Sequence, residues 1–67
     1  MDVDESGAIT TAIRFFAQQH SDVFVQDAVL EDDVWTITVS IGLLNQKTKK
    51  VRIDAESGKI LSYDILN

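Results

Sequence analysis

An α+β domain, with one N-terminal amphipathic helix packed on one face of a four-stranded antiparallel meander sheet, is the fold class this sequence predicts. Three observations carry it. Apolar residues recur at helical spacing through residues 5–20. Hydrophobicity then turns to strand-like runs, most of them alternating with a period of two. The joins between the runs are short and rich in Asp, Ser and Gly. Strands joined by short turns pair with their sequence neighbours, and a single helix can cover only one face of the sheet they form.

In the helix, Ile9, Ala12, Ile13, Phe16 and Ala17 line one face, and Thr10, Arg14 and Gln18 the opposite one. Phe15 follows about 100° from Phe16 around the helix, so it falls at the margin of the stripe and is expected to be partly exposed. Just upstream, Asp2, Asp4, Ser6, Gly7 and Ile9 stand where the first eight positions of a calcium-binding EF-hand loop place carboxylates, a hydroxyl, a turn glycine and an apolar anchor. The twelfth position requires a bidentate glutamate and holds Ile13, so no metal is expected. Asp4 or Ser6 instead caps the first helical N–H groups, and Asp2, Asp4 and Glu5 oppose the positive end of the helix dipole. Gly7 fits neither role, because glycine in a first helical turn costs about 1 kcal/mol relative to alanine. His20 closes the helix, where a protonated imidazole would meet unsatisfied carbonyls.

The run at 23–30, VFVQDAVL, favours a strand but does not alternate cleanly, which predicts a bulge near Asp27. Glu31, Asp32 and Asp33 then read as a hairpin turn, since aspartate tolerates left-handed backbone. VWTITVSI, 34–41, alternates strictly, with Trp35, Ile37, Val39 and Ile41 on one face and Thr36, Thr38 and Ser40 on the other. Val51 and Ile53 alternate with Lys50, Arg52 and Asp54 in the third strand. Gly58 supplies the positive φ for the next tight turn. The last strand, 60–66, places Leu61, Tyr63 and Ile65 on one face and Ile60 and Leu66 on the other.

Sixty-seven residues form one domain, 1–67, and a chain of this size buries only about 60% of its unfolded surface. With no cysteine and one histidine, neither a disulfide nor a zinc site reinforces the core, and no cofactor is expected. A net charge of −5 opposes nucleic-acid phosphates. No stretch reaches the roughly 18 apolar residues of a membrane span, so direct membrane insertion is not expected. The acidic start is unlike a secretory signal, which points to the cytoplasm for the chain as given and outside it for an excised domain. Serines 6, 21, 40, 57 and 62 lack a nucleophile elbow or a base to pair with, and paired acids such as Asp32 and Asp33 lie on a solvated turn. An enzyme is not expected and no catalytic residue is assigned. Lys47, Lys49, Lys50 and Arg52 form the one basic concentration, read as a charged strand edge that discourages aggregation.

DDVWTITVSI followed by VRIDAESGKILSYDIL resembles the PepSY domain, the small module of peptidase propeptides and of sporulation proteins of the YpeB type. Val51, Ile53, Asp54, Ala55, Ser57, Gly58, Lys59, Ile60 and Leu61 match its hairpin residue by residue. The same span is similar to the gas-vesicle accessory protein O family, which also runs helix, Trp-bearing strand and acidic hairpin. Neither family is catalytic by itself, so both resemblances imply binding or modulation of a protein partner: a peptidase or other protein in the first case, a vesicle assembly in the second. The uncovered sheet face would carry Thr36, Thr38, Ser40, Lys50, Arg52, Ser62 and Asp64, bordered by Ile60. Leu43 and Leu44, at a strand end, either close the core under the helix or stand exposed as a docking pair. Leu43, Leu44, Ile60, Thr36, Thr38 and Arg52 are therefore the candidate partner contacts, and a weak homo-oligomer is compatible with such a surface.

Overall fold

The computed structural model describes residues 2–66, with side chains placed through residue 63. The elements are α1 (Glu5–Ala17), β1 (Val23–Glu31), β2 (Val34–Ile41), β3 (Lys47–Asp54) and β4 (Ile60–Leu66). The strands form one antiparallel sheet in the order β1-β2-β3-β4, and α1 lies across one face of it.

Asp4 is the N-cap of α1: its backbone is extended and its Oδ1 accepts the Gly7 N–H at 2.7 Å, satisfying one of the donors that a helix start leaves unpaired. At the other end the N–H groups of Gln19 and His20 both donate to the Phe16 carbonyl. The helix therefore stops at Ala17, and His20 lies beyond it rather than closing it. The buried seam is Ala8, Ala12 and Phe16, flanked by the partly buried Ile9 and Phe15. Ile13 and Ala17, expected in the stripe, are exposed. The seam is rotated toward Ala8 because α1 approaches β1 and β2 most closely, and the two alanines let the helix backbone sit near the sheet.

Trp35, Ile37, Val39 and Ile41 of β2 face the helix with Val51 and Ile53 of β3, and all six are buried. Four of them, Ile37, Val39, Val51 and Ile53, have no exposed surface, and full burial of such a side chain stabilises by about 1.5–3 kcal/mol. These central strands supply most of the core.

Each edge strand carries one bulge, and each bulge explains a break in alternation. In β1, Val25 pairs with Val39 and Asp27 with Thr38, leaving Gln26 unpaired. Val23 and Val25 before it, and Ala28 and Leu30 after it, consequently share the helix face. In β4, Ile60 pairs with Ile53 and Ser62 with Arg52, leaving Leu61 as the extra residue. Strict alternation opposes Ile60 to Tyr63; the bulge instead puts both on the helix face, beside Ile53 and Val51. The expected facings of Asp64, Ile65 and Leu66 fall outside the described side chains.

The turns follow backbone chemistry. Asp32 and Asp33 both have positive φ, 52° and 60°, as the two-residue turn between Glu31 and Val34 requires. Gly58 has φ 79° in the β3–β4 loop.

Candidate functional site

The uncovered sheet face is built from alternate residues of each strand. Thr36 stands directly opposite Arg52, Thr38 opposite Lys50 and Ser40 opposite Thr48, so three hydrogen-bonding residues of β2 lie against two cations and a threonine of β3. Ser62 extends the row beyond Arg52. Ser40 is buried despite lying on this face. Phe24 stands opposite it on β1, and this aromatic, 47% exposed, is the apolar border that sequence reading did not identify. Val29, opposite Thr36, continues that border along the sheet edge. The irregular alternation of β1 hid it, because facing could not be assigned to Phe24 until the bulge at Gln26 was located.

Leu43 and Leu44 occupy the loop between β2 and β3 and are 66% and 95% exposed. The loop is anchored through the Gly42 N–H, which donates to the Asp22 carbonyl at 3.0 Å, and Gly42 takes φ 94° to make the turn. This bond ties the leucine loop to the segment leading into Phe24, so the three exposed apolar residues lie at the same end of the sheet.

The six candidate contacts do not form one cluster. Thr36 and Arg52 pair across the far half of the open face and Thr38 lies nearer its middle. Leu43 and Leu44 cap the opposite end, about 17 Å away at the rise of an extended strand. Ile60 belongs elsewhere, since it pairs with Ile53 on the helix-covered face and packs against the core, and is not a margin of the open face.

The β3–β4 hairpin is closed by hydrogen bonds among its own residues. Asp54 Oδ1 accepts the Glu56 N–H at 3.0 Å, and Oδ2 accepts the Ser57 hydroxyl at 2.9 Å. Ser57 Oγ in turn accepts the Lys59 N–H at 3.2 Å. The Gly58 N–H donates to the Asp54 carbonyl, and the Asp54 N–H to the Lys59 carbonyl. The Glu56 amide bond, followed by the Ser57 hydroxyl, holds the Asp54 carboxyl below its ordinary range. These side chains close a loop and present no reactive group to a concavity.

A shallow groove of about 110 Å³ opens beside the end of α1, lined by Phe15, Phe16, Gln18, Gln19, His20, Lys49 and Tyr63. The Phe15 ring contacts Phe16 edge-on at 5.1 Å and Tyr63 at 5.2 Å between centroids. Tyr63 is on the helix-covered face, where alternation places it; what spacing does not give is its meeting with Phe15, which depends on how α1 crosses the sheet. The groove's volume admits one side chain rather than a substrate with catalytic groups around it. Among the described residues no three His, Cys, Asp or Glu side chains are grouped to hold a metal ion, and no helix is long and apolar enough to cross a membrane.

No protein-family description matches the chain, and neither a curated protein nor a solved structure is detectably similar to it.

Proposed function

We propose that this chain is a small non-enzymatic interaction domain, PepSY-like in role, that binds or modulates a peptidase or other protein partner. The reading rests on one observation above the rest: Leu43 and Leu44 are 66% and 95% exposed on an anchored loop. A domain with so small a core gains nothing for its fold from two leucines in water, whereas protein contacts are built from a few apolar anchors surrounded by a polar rim. Thr38, Thr48 and Lys50, on the part of the open face nearer the loop, supply that rim, and Phe24 adds a third anchor beside it. The assembly-accessory reading uses the same anchors for a structural partner.

The experiment compares photo-crosslinking from residue 45, within the leucine loop, with crosslinking from Thr10 on the solvent face of α1. A discrete adduct from position 45 that Leu44→Asp removes, with melting unchanged, supports the reading. Identification of the adduct as a peptidase or as an assembly subunit separates the two roles. Equal labelling from both positions refutes it.

A further inference from the structure

The two edges of the sheet are not equally guarded. On β1 the bulge at Gln26 interrupts the edge in mid-strand, and Asp27 and Glu31 put charge along it. The helix α1 also packs toward this side of the sheet. The other edge is β4. Past its bulge at Leu61 it runs through residues 62–66 in unbroken register with β3, and its seven residues, ILSYDIL, contain one charge, Asp64, with no lysine and no proline. Leu61 and Tyr63 are 54% and 53% exposed on it. An edge strand presents a row of N–H and C=O groups to any further strand, and this one lacks the lysine, proline or mid-strand bulge by which edges are kept apart.

We infer that β4 pairs with β4 of a second copy of this chain, antiparallel and about a twofold axis at Tyr63, joining two four-stranded sheets into one of eight. This goes beyond the interaction reading and does not rest on the leucine loop. Residues opposite each other in an antiparallel pair share a face, so a twofold axis must set one residue of β4 opposite itself. An axis at Asp64 puts two carboxylates opposite each other, which is destabilising, and an axis at Ser62 brings the Leu61 bulge directly beside it. Tyr63 avoids both. There the two Tyr63 side chains meet on the helix face, each already 5.2 Å from its own Phe15, so that four aromatic rings line up across the axis. On the open face the same register sets Asp64 of the second copy opposite Ser62, one strand away from Arg52, and the axis repeats that arrangement. Both contacts are made by one patch with itself, as a twofold interface requires, which selects a second copy over an unrelated strand. One edge of seven residues, about 24 Å long, cannot bury the roughly 800 Å² per partner of a standard interface, and the charge of −5 on each copy opposes association. The dimer is therefore weak and concentration-dependent.

The test is sedimentation equilibrium of the full chain from micromolar to millimolar concentration, with Tyr63→Lys as the variant that sets like charges on the axis. The expected result is a monomer–dimer equilibrium whose dissociation constant rises at least tenfold in Tyr63→Lys and is unchanged in Leu44→Asp. The chain has no cysteine, so disulfide trapping reads the register. An equimolar mixture of Ser62→Cys and Asp64→Cys chains should give the mixed disulfide above its statistical proportion, and this readout decides the matter if Tyr63→Lys does not fold. A chain that stays monomeric at millimolar concentration, or that associates beyond a dimer, overturns the inference. So does a dimer that Tyr63→Lys leaves intact or that Leu44→Asp dissociates. Mixed disulfide at or below the statistical proportion refutes the Tyr63 axis.

Discussion

The indole Nε1 of Trp35 donates a hydrogen bond to the carbonyl oxygen of Val3 at 2.8 Å, joining residues 32 positions apart. The indole body packs in the core while its one polar atom fixes the segment that leads into α1, a division of labour open to Trp and not to Phe. Trp35→Phe therefore keeps most of the packing but leaves the Val3 carbonyl without this donor, at an expected cost of about 1 kcal/mol. Trp35→Ala also loses the core volume, about 3–5 kcal/mol, which approaches the whole stability of a small domain. Urea unfolding of both variants checks the ranking; a Trp35→Phe variant as stable as the parent would show that the hydrogen bond carries nothing.

Val3 also explains Gly7, the glycine that costs a helix its propensity. A Cβ on Gly7 would lie 3.1 Å from Val3 Cγ1 and 3.2 Å from the capping oxygen of Asp4, and a Cβ on Gly58 would lie 3.2 Å from Val3 Cγ2. One valine is seated between two glycines. Gly7→Ala should therefore fail to gain the usual stabilisation of about 1 kcal/mol, and should be better tolerated when Val3 is already alanine. Gly58→Ala should cost about 1–3 kcal/mol in either background, because its positive φ adds strain that removing Val3 cannot relieve. A double-mutant cycle by chemical denaturation measures the coupling; strict additivity of Gly7→Ala and Val3→Ala would refute the steric account.

The turn of Asp32 and Asp33 works against both its backbone and its charge. Both residues hold positive φ, a geometry for which Asn-Gly is the favoured pair. They also stand beside Glu31. Asp32→Asn with Asp33→Gly should raise stability by roughly 1 kcal/mol, read as a higher melting temperature with an unchanged urea m-value.

Asp54 gives the fold a defined acid sensitivity. The Glu56 amide and the Ser57 hydroxyl hold its carboxyl below the ordinary value, so the folded state favours the ionised form. That contribution is fully present above the unfolded carboxylate range near pH 3.9 and is lost as the pH falls through the lower folded value. Asp54→Asn should melt below the parent at neutral pH, and the gap should close as the pH drops below about 4. A gap that persists unchanged at low pH would assign the loss to side-chain geometry instead of charge.

What the sequence made legible divides along regularity. β2 alternates strictly, and its boundaries and facing are those expected; the capping role of Asp4 follows from local chemistry alone. Ile60 shows where such reading fails. Its face depends on one unpaired residue, Leu61, and a bulge in an edge strand is set by how the partner strand pairs, not by any residue type at the bulge itself. The rotation of the helix seam toward Ala8 fails for a related reason, since periodicity fixes a stripe only to within the neighbours that α1 chooses on the sheet. Leu43 and Leu44 fall outside any period, which leaves their burial open in the sequence; in the fold both stand exposed on the β2–β3 loop.

These placements set three substitutions apart. Ile37 has no exposed surface, so Ile37→Asp buries a charge without a partner and should unfold the domain. Ile60→Asp should also destabilise, by more than about 2 kcal/mol, because Ile60 packs against the core beside Ile53. Leu44, at 95% exposure, should tolerate aspartate within about 0.5 kcal/mol. It removes an apolar anchor without touching the core, and so reports on binding alone. Thermal melting of the three variants orders them: parent-like for Leu44→Asp, lowered for Ile60→Asp, no cooperative transition for Ile37→Asp. If Leu44→Asp melts as low as Ile60→Asp, the loop is part of the core and the exposed anchors that the proposed function needs do not exist.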